Sequence, residues 1–290
     1  MAGKIAILTD TNSGISSDEA RKLGIYLIPM PVIIDGKTYF ENISITSAEF
    51  FERLRNGASV STSQPSPGDL VNVWDQLLQN HDEIVYIPMS SKLSGSWQTS
   101  VMLAERYGDR IHSVNNRRIS ITLRKSVLDA KRLADCGWSA AEIVHALEQD
   151  GLNASIYIAV NTLELLIKSG RVTPAGAAIG TVLQIKPVLQ IQGGKLDAYR
   201  KVRGMKSAMR VIVEALEADH NGRFAGQPVM IRGAYAGNTE LGEMWTDVLR
   251  ESFPDLAIES DPLSVSIACH TGEGALGVGI MPTSLNGITG

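Results

Sequence analysis

Three stretches of this chain carry residue types that could hold or transform a charged ligand. The first is VSTSQPSPGDL, Val60 to Leu70, which sets Thr62, Ser63 and Gln64 ahead of two prolines. It has no carboxylate before Asp69 and neither His nor Cys, so it is poorly equipped for acid–base work. It can offer hydroxyl and amide donors from a stiffened loop. The second is SSKLSGSWQTS, Ser90 to Ser100, where Ser94, Gly95 and Ser96 open a helical pattern. Free N–H groups at a helix start, joined by hydroxyls, form an anion site. The third is CHTGEGALGVG, Cys269 to Gly279, with His270 at its mouth.

Each stretch also has a plainer reading. Ser66, Pro67 and Asp69 fit the capped start of a helix, which accounts for those residues but not for Thr62, Ser63 and Gln64. Ser94 can serve as an N-cap alone. A serine nucleophile is a rival reading, but LSGS lacks the G-x-S-x-G elbow of hydrolases. The glycines 272, 274, 277 and 279 tempt one toward a nucleotide loop. Such a loop needs a following helix and return strand, and no such unit follows them here. They fit close approach of backbone to a ligand or a neighbouring strand. Two basic stretches, SGRV with Arg171 and YRKVRGMK with Arg203, read first as solvated element ends. H-E-x-x-H, C-x-x-C and Walker-type runs do not occur, so neither metal nor cofactor is expected.

The elements that must position these residues alternate. KIAILTD reads as a strand, EARKLG as a helix, and IYLIPMPVII as one extended region turning at Asp35-Gly36 into KTYF. Helix SAEFFERLRNG, helix PGDLVNVWDQLLQN, strand EIVYIPMS, helix GSWQTSVMLAERYG and strand IHSVN follow, then two helices up to Gly151. This alternation predicts a three-layer α/β/α domain with a mostly parallel sheet, residues 1–152. Ligands are then expected at the carboxyl ends of consecutive parallel strands. A second α/β domain with a mixed sheet is expected over 153–290. It comprises strand SIYIAV, helix TLELLIKSG, helix PAGAAIGTVLQI, a hairpin turning at Gly193-Gly194, helix MKSAMRVIVEALEAD, strand PVMIRGAY, helix TELGEMWTDVLRESF, and late strands LAIES and SVSIACH. The small residues Ala175, Gly176, Ala178 and Gly180 could make room for a ligand along one helix.

Composition narrows the function classes. The chain has 290 residues, 44% hydrophobic and 20% charged, which suits a globular protein with a substantial core. Its 27 basic and 31 acidic residues leave a formal charge of −4, without the basic bias of a nucleic-acid binder. Only Cys136 and Cys269 occur, and no long apolar stretch marks a signal peptide or membrane span, so a cytoplasmic location is expected.

Taken together, TSQPSPGDL, SSKLSGSWQTS, NTLELLIKSGRV, LQIKPVL and CHTGEGALGVG resemble, in order and spacing, the DegV family of bacterial fatty-acid-binding proteins. The resemblance covers essentially the whole chain. It implies two α/β domains with one long-chain fatty acid between them, its carboxylate held by Thr62 and Ser94, with Ser63, Gly95, Ser96 and His270 around it. It further implies presentation of the acid to a separate ATP-dependent fatty acid kinase, giving an acyl phosphate for phospholipid metabolism. Arg203 and Arg171 would serve that partner, and membrane contact would be transient. The chain departs from the family pattern at Asp10-Thr11, Asn115-Asn116, Ser169-Gly170 and Ala268, none of which falls on Thr62 or Ser94. On this reading the protein is a carrier without catalysis of its own. The alternative is a lipid hydrolase or acyltransferase using Ser94 as nucleophile and His270 as base.

Overall fold

The computed structural model describes residues 3–178 and 185–285. In the first half the strands are β1 (Ile5–Asp10), β2 (Ile25–Ile28), β3 (Pro31–Ile34), β4 (Lys37–Phe40), β5 (Val60–Thr62), β6 (Glu83–Ile87) and β7 (Ile111–Ser113). Helices α1 (Ser17–Leu23), α2 (Ser47–Arg55), α3 (Pro67–Leu77), α4 (Ser96–Ala104), α5 (Ser120–Asp135) and α6 (Ala140–Gln149) connect them. The second half has β8 (Ser155–Ala159), β9 (Ile185–Ile191), β10 (Asp197–Arg203), β11 (Val229–Tyr235), β12 (Ser260–Pro262) and β13 (Leu276–Pro282). Its helices are α7 (Glu164–Ser169), α8 (Pro174–Ala177), α9 (Met205–Asn221), α10 (Thr239–Ser252) and α11 (Val265–Thr271).

Strands β2-β1-β6-β7 form a four-stranded sheet with every pair parallel. Period-two alternation sends Ala6 and Leu8 to one face, where Leu70 and Trp74 of α3 and Leu103 of α4 cover them. Ile7, Val85 and Ile87 face the other way, onto Leu123 and Val127 of α5 and Ile143 of α6. The expected three-layer arrangement is therefore present. The second sheet runs β10-β9-β8-β13-β11-β12 and is antiparallel except for the β11–β12 pair. Helices α9 and α10 cover its outer face with Ile212, Leu216, Trp245 and Leu249. Its inner face, with Ile156, Ile158, Leu189 and Ile191, joins the same hydrophobic cluster as α5. Helix α5 thus lies between the two sheets.

Four local expectations need correction. Residues 25–34 form two strands in different sheets. Pro29 and Pro31 have no N–H to give to a ladder, so the chain leaves the parallel sheet after Ile28. It continues as β3, the centre of a separate antiparallel β4-β3-β5 sheet. The expected Asp35-Gly36 hairpin joins β3 to β4. The segment SVSIACH is the helix α11, not a strand. Six of its seven residues are buried, so no polar face reveals its period. The strand expected at LAIES begins only at Ser260 and extends to Pro262. Helix α8 ends at Ala177, and Ile185 already belongs to β9. Gly180 lies outside the described residues.

Glycines of the third stretch show their use in β13. A Cβ on Gly279 would lie 2.9 Å from Ile121 Cδ1, so the bare glycine backbone gives the Ile121 side chain of α5 room against the sheet.

Candidate ligand-binding site

Thr62 ends β5 and pairs with Val32 of β3. Alternation turns Ser61 outward and leaves Thr62 half-buried. The side chain is therefore presented by the small antiparallel sheet. This corrects the expectation that both hydroxyl loops follow consecutive parallel strands. Only the second loop does, leaving β6 and entering α4. There Leu93 and Ser94 donate their N–H groups to the Ser90 carbonyl at 2.9 and 3.1 Å, forming a tight turn. Ser94 Oγ accepts from the Ser96 N–H at 3.2 Å and lies 2.9 Å from Ser96 Oγ. The two loops touch. Gln64 Nε2 donates to Thr99 Oγ1 of α4 at 2.8 Å, and a Cβ on Gly95 would lie 2.5 Å from Gln64 Oε1. Ser66 caps α3 as expected, its Oγ accepting from the Asp69 N–H at 3.0 Å.

His270 comes from the other half, on α11, with Nε2 2.8 Å from Thr62 Oγ1. Its Nδ1 is buried without a partner. Burial first, then the nearby Arg171 guanidinium, pushes the imidazole down to about 4, so the ring is neutral at pH 7. With its proton on Nε2, the ring donates to Thr62 and leaves the Thr62 hydroxyl hydrogen free for a ligand. His270 thus touches the head-group candidate itself, from the last turn of a helix ahead of the glycine loop, not from the end of a strand.

These side chains open on a cavity between the two halves. Its polar wall includes Thr62, Ser63, Gln64, Ser94, Arg171 and His270. A second cavity adjoins it. Leu93, Ile119, Leu196, Ile267 and Thr271 line both. Beyond them the second chamber is walled by Ile121 of the first half and by Ile156, Ile158, Ile191 and Leu263 of the second. The arrangement is a vestibule whose hydroxyls are set in a wall that also carries Met30, Met89 and Leu166, beside an apolar chamber between the two sheets. Such a shape can hold an amphiphile with its polar end at the hydroxyls.

The sequence-predicted residues divide accordingly. Thr62, Ser63, Ser94, Arg171 and His270 converge on the vestibule. Gly95 and Ser96 support Ser94 from behind and are not among its lining residues. Arg203 is exposed at the end of the edge strand β10, also outside that lining. Of the two arginines expected to serve the partner, only Arg171 lines the vestibule.

Sequence reasoning missed Asn12 and Ser266, which also line the vestibule. Ser266 Oγ donates to Asn12 Oδ1 at 2.6 Å, while Asn12 Nδ2 lies 2.9 Å from Met89 Sδ. Beneath them Asp10 accepts from the N–H groups of Asn12 and Met89 at 3.0 and 2.8 Å. Burial still pushes its carboxyl up to about 6. The available signal was the polar run DTNS at the carboxyl end of β1, where α/β ligands collect. No group of three or more His, Cys, Asp or Glu suited to a metal occurs among the described residues.

Residues 4–283 match a family described as "Uncharacterised protein, DegV family". A DegV domain-containing protein of Deinococcus radiodurans is 31% identical over 284 residues, spanning 97% of this chain and 99% of that one. Among solved structures, a DegV family protein from Thermus thermophilus, described by its fatty acid binding, superposes with a TM-score of 0.86 at 30% identity. That match covers 96% of this chain and 99% of the other. A fatty-acid-binding DegV family protein from Streptococcus agalactiae gives 0.86 at 28% identity, over 97% and 99%. Both likenesses extend over nearly the whole of each chain.

Proposed function

Because the chain belongs to the DegV family, we propose that it binds one long-chain fatty acid, with the carboxylate at Thr62 and Ser94 and the tail in the chamber between the sheets. The observation that carries this is a pair of adjacent cavities sharing five lining residues, one carrying the hydroxyls and the other apolar. A tail of about fifteen methylenes at ~0.8 kcal/mol each gains roughly 10 kcal/mol gross on burial. A carboxylate drawn from water into that space is costly unless hydrogen-bonded. Thr62 and Ser94 can donate those bonds, and neutral His270 adds no counter-charge. The residues 1–152 and 153–290 act as two domains that close on the tail. Both walls of the chamber support this reading.

The same geometry disfavours the hydrolase alternative. A serine nucleophile needs its base in hydrogen-bond reach. Here His270 Nε2 lies 2.8 Å from Thr62 Oγ1, and no hydrogen bond joins His270 to Ser94 among the described residues. The protein is then a carrier, and its likeness to the DegV family supports hand-over of the acid to a separate ATP-dependent kinase in the cytoplasm. Arg171, at the vestibule, is the cation placed to serve phosphoryl transfer there. No helix among the described residues is long and apolar enough to cross a membrane.

Mass spectrometry of lipid co-purifying with the protein tests the proposal. A fatty acid at one per chain is expected, lost on Thr62→Ala/Ser94→Ala. Hydrolysis of p-nitrophenyl esters that disappears in Ser94→Ala would instead establish the enzyme reading.

A further inference from the structure

Helix α11 carries Ser266, Ile267, His270 and Thr271, all four on the cavity wall. It has only seven residues and its own N-cap, Ser264, makes no side-chain capping bond. So short a helix has little stability of its own, and its position depends on what holds it. Ser264 Oγ is instead 3.1 Å from Ser266 Oγ. The cap comes from a distant part of the chain. Glu41 Oε2 accepts from the Val265 N–H at 2.9 Å, across 224 residues of sequence. A carboxylate on a helix N-terminus satisfies an orphan donor and meets the positive end of the helix dipole.

The turn that presents Glu41 is tied down. Phe40 donates its N–H to Ser44 Oγ at 2.8 Å, and the Phe40 carbonyl accepts from the N–H groups of Ile43, Ser44 and Ile45. Asn42 holds a left-handed conformation at φ 59° and bonds its N–H to the Ile45 carbonyl at 2.9 Å. Burial raises the Glu41 carboxyl above the usual range, and the Val265 bond opposes that rise. The carboxylate is thus held near the base of α11 by a fixed turn of the first half.

We infer that Glu41 is a positioning residue for the head-group site: by capping α11 from the opposite half, it sets where His270 meets Thr62. The register supports this. The cap acts at Val265, and His270 lies five residues further along the same buried helix. Asn12 holds Ser266 from the same side. This inference rests on the reading of Thr62 and His270 as the head-group pair.

The test compares Glu41→Gln and Glu41→Ala with wild type, using displacement of a fluorescent fatty acid and NMR of the His270 ring nitrogens. Glutamine keeps an oxygen for the Val265 N–H, and its affinity should stay within about twofold, a neutral acceptor being weaker by a fraction of one cap. Alanine should weaken binding about tenfold, the size of one lost helix cap. It should also shift the His270 nitrogen resonances and speed exchange of the Val265 amide while leaving the Ile7 amide protected. Alanine binding at wild-type strength, or weaker binding with His270 resonances unmoved, overturns the inference. Thr62→Ala is the control for the reading beneath it. If Thr62→Ala binds normally, the head-group assignment itself fails. If Thr62→Ala binds weakly and Glu41→Ala does not, only the role of Glu41 fails.

Discussion

The vestibule and the chamber meet at five shared residues yet are built on opposite logic. The vestibule sets short polar side chains that hold one another, Thr62 with His270, Ser94 with Ser96, Gln64 with Thr99 and Ser266 with Asn12, into a wall shared with Met30, Met89 and Leu166. Each contact is directional, and moving one group disturbs its partner. The chamber is walled by branched aliphatic side chains from both halves, with no bond to orient them. Directional contacts fix where an anion sits. Non-directional burial supplies most of the affinity and scales with the length of tail enclosed. The two regions should therefore respond differently to substitution.

The largest effect is expected in the chamber. Leu196 is 7% exposed and lines both cavities. An unpaired carboxylate there, in Leu196→Asp, should weaken fatty-acid binding by several kcal/mol. Titration with acids of increasing length checks it: wild-type affinity should climb with length, and that climb should flatten in the variant.

Next come the vestibule hydroxyls. Thr62→Ala or Ser94→Ala should each cost about 0.5–1.5 kcal/mol of binding, and up to roughly 3 kcal/mol if the carboxylate is left short of donors. The loss should be the same for every chain length. A loss that grows with length would erase the distinction between the two regions.

His270 gives a pH signature. Its folded pKa is depressed from 6.5 to about 4, so the folded state binds fewer protons than the unfolded state between those values. The stability it contributes is present above pH 6.5 and lost as pH falls through 4, by up to roughly 3 kcal/mol. Asp10 works in the opposite sense. Its folded pKa is raised from 3.8 to about 6, so its contribution grows as pH falls through that window and offsets part of the loss. Denaturant melts from pH 7 to 4 should show His270→Gln losing less stability than wild type. Parallel curves would mean that His270 does not titrate as a buried neutral ring.

The smallest effect is expected outside both cavities. Ser66→Ala removes the cap of α3 and should lower stability by about 1 kcal/mol while leaving fatty-acid affinity unchanged. A change in affinity would extend the vestibule further along that loop.

The same contrast explains what could be read from sequence. Thr62, Ser63, Ser94 and His270 were legible because polar residues bunched beside prolines and glycines need a reason to be there. Alternating strands and helices gave the parallel sheet and its layers. The chamber was not legible, because Ile119, Ile158 and Leu196 look like any other core residue until the fold sets them around a void. Helix α11 read as a strand because burial on all sides leaves no period to detect. Arg203 is tied to the partner by a likeness in order along the chain, whereas its place outside the vestibule depends on β10 being an edge strand. Asn12 escaped notice because its partner, Ser266, lies 254 residues away.

The central claim is that a carboxylate sits between Thr62 and Ser94 with its tail in the inter-sheet chamber. A crystal structure with palmitate bound tests it most directly. The account predicts carboxylate oxygens within about 3.2 Å of both hydroxyl oxygens, and tail carbons against Ile158 and Leu196. A head group beyond hydrogen-bonding reach of both hydroxyls, or a tail lying outside the chamber, would contradict it.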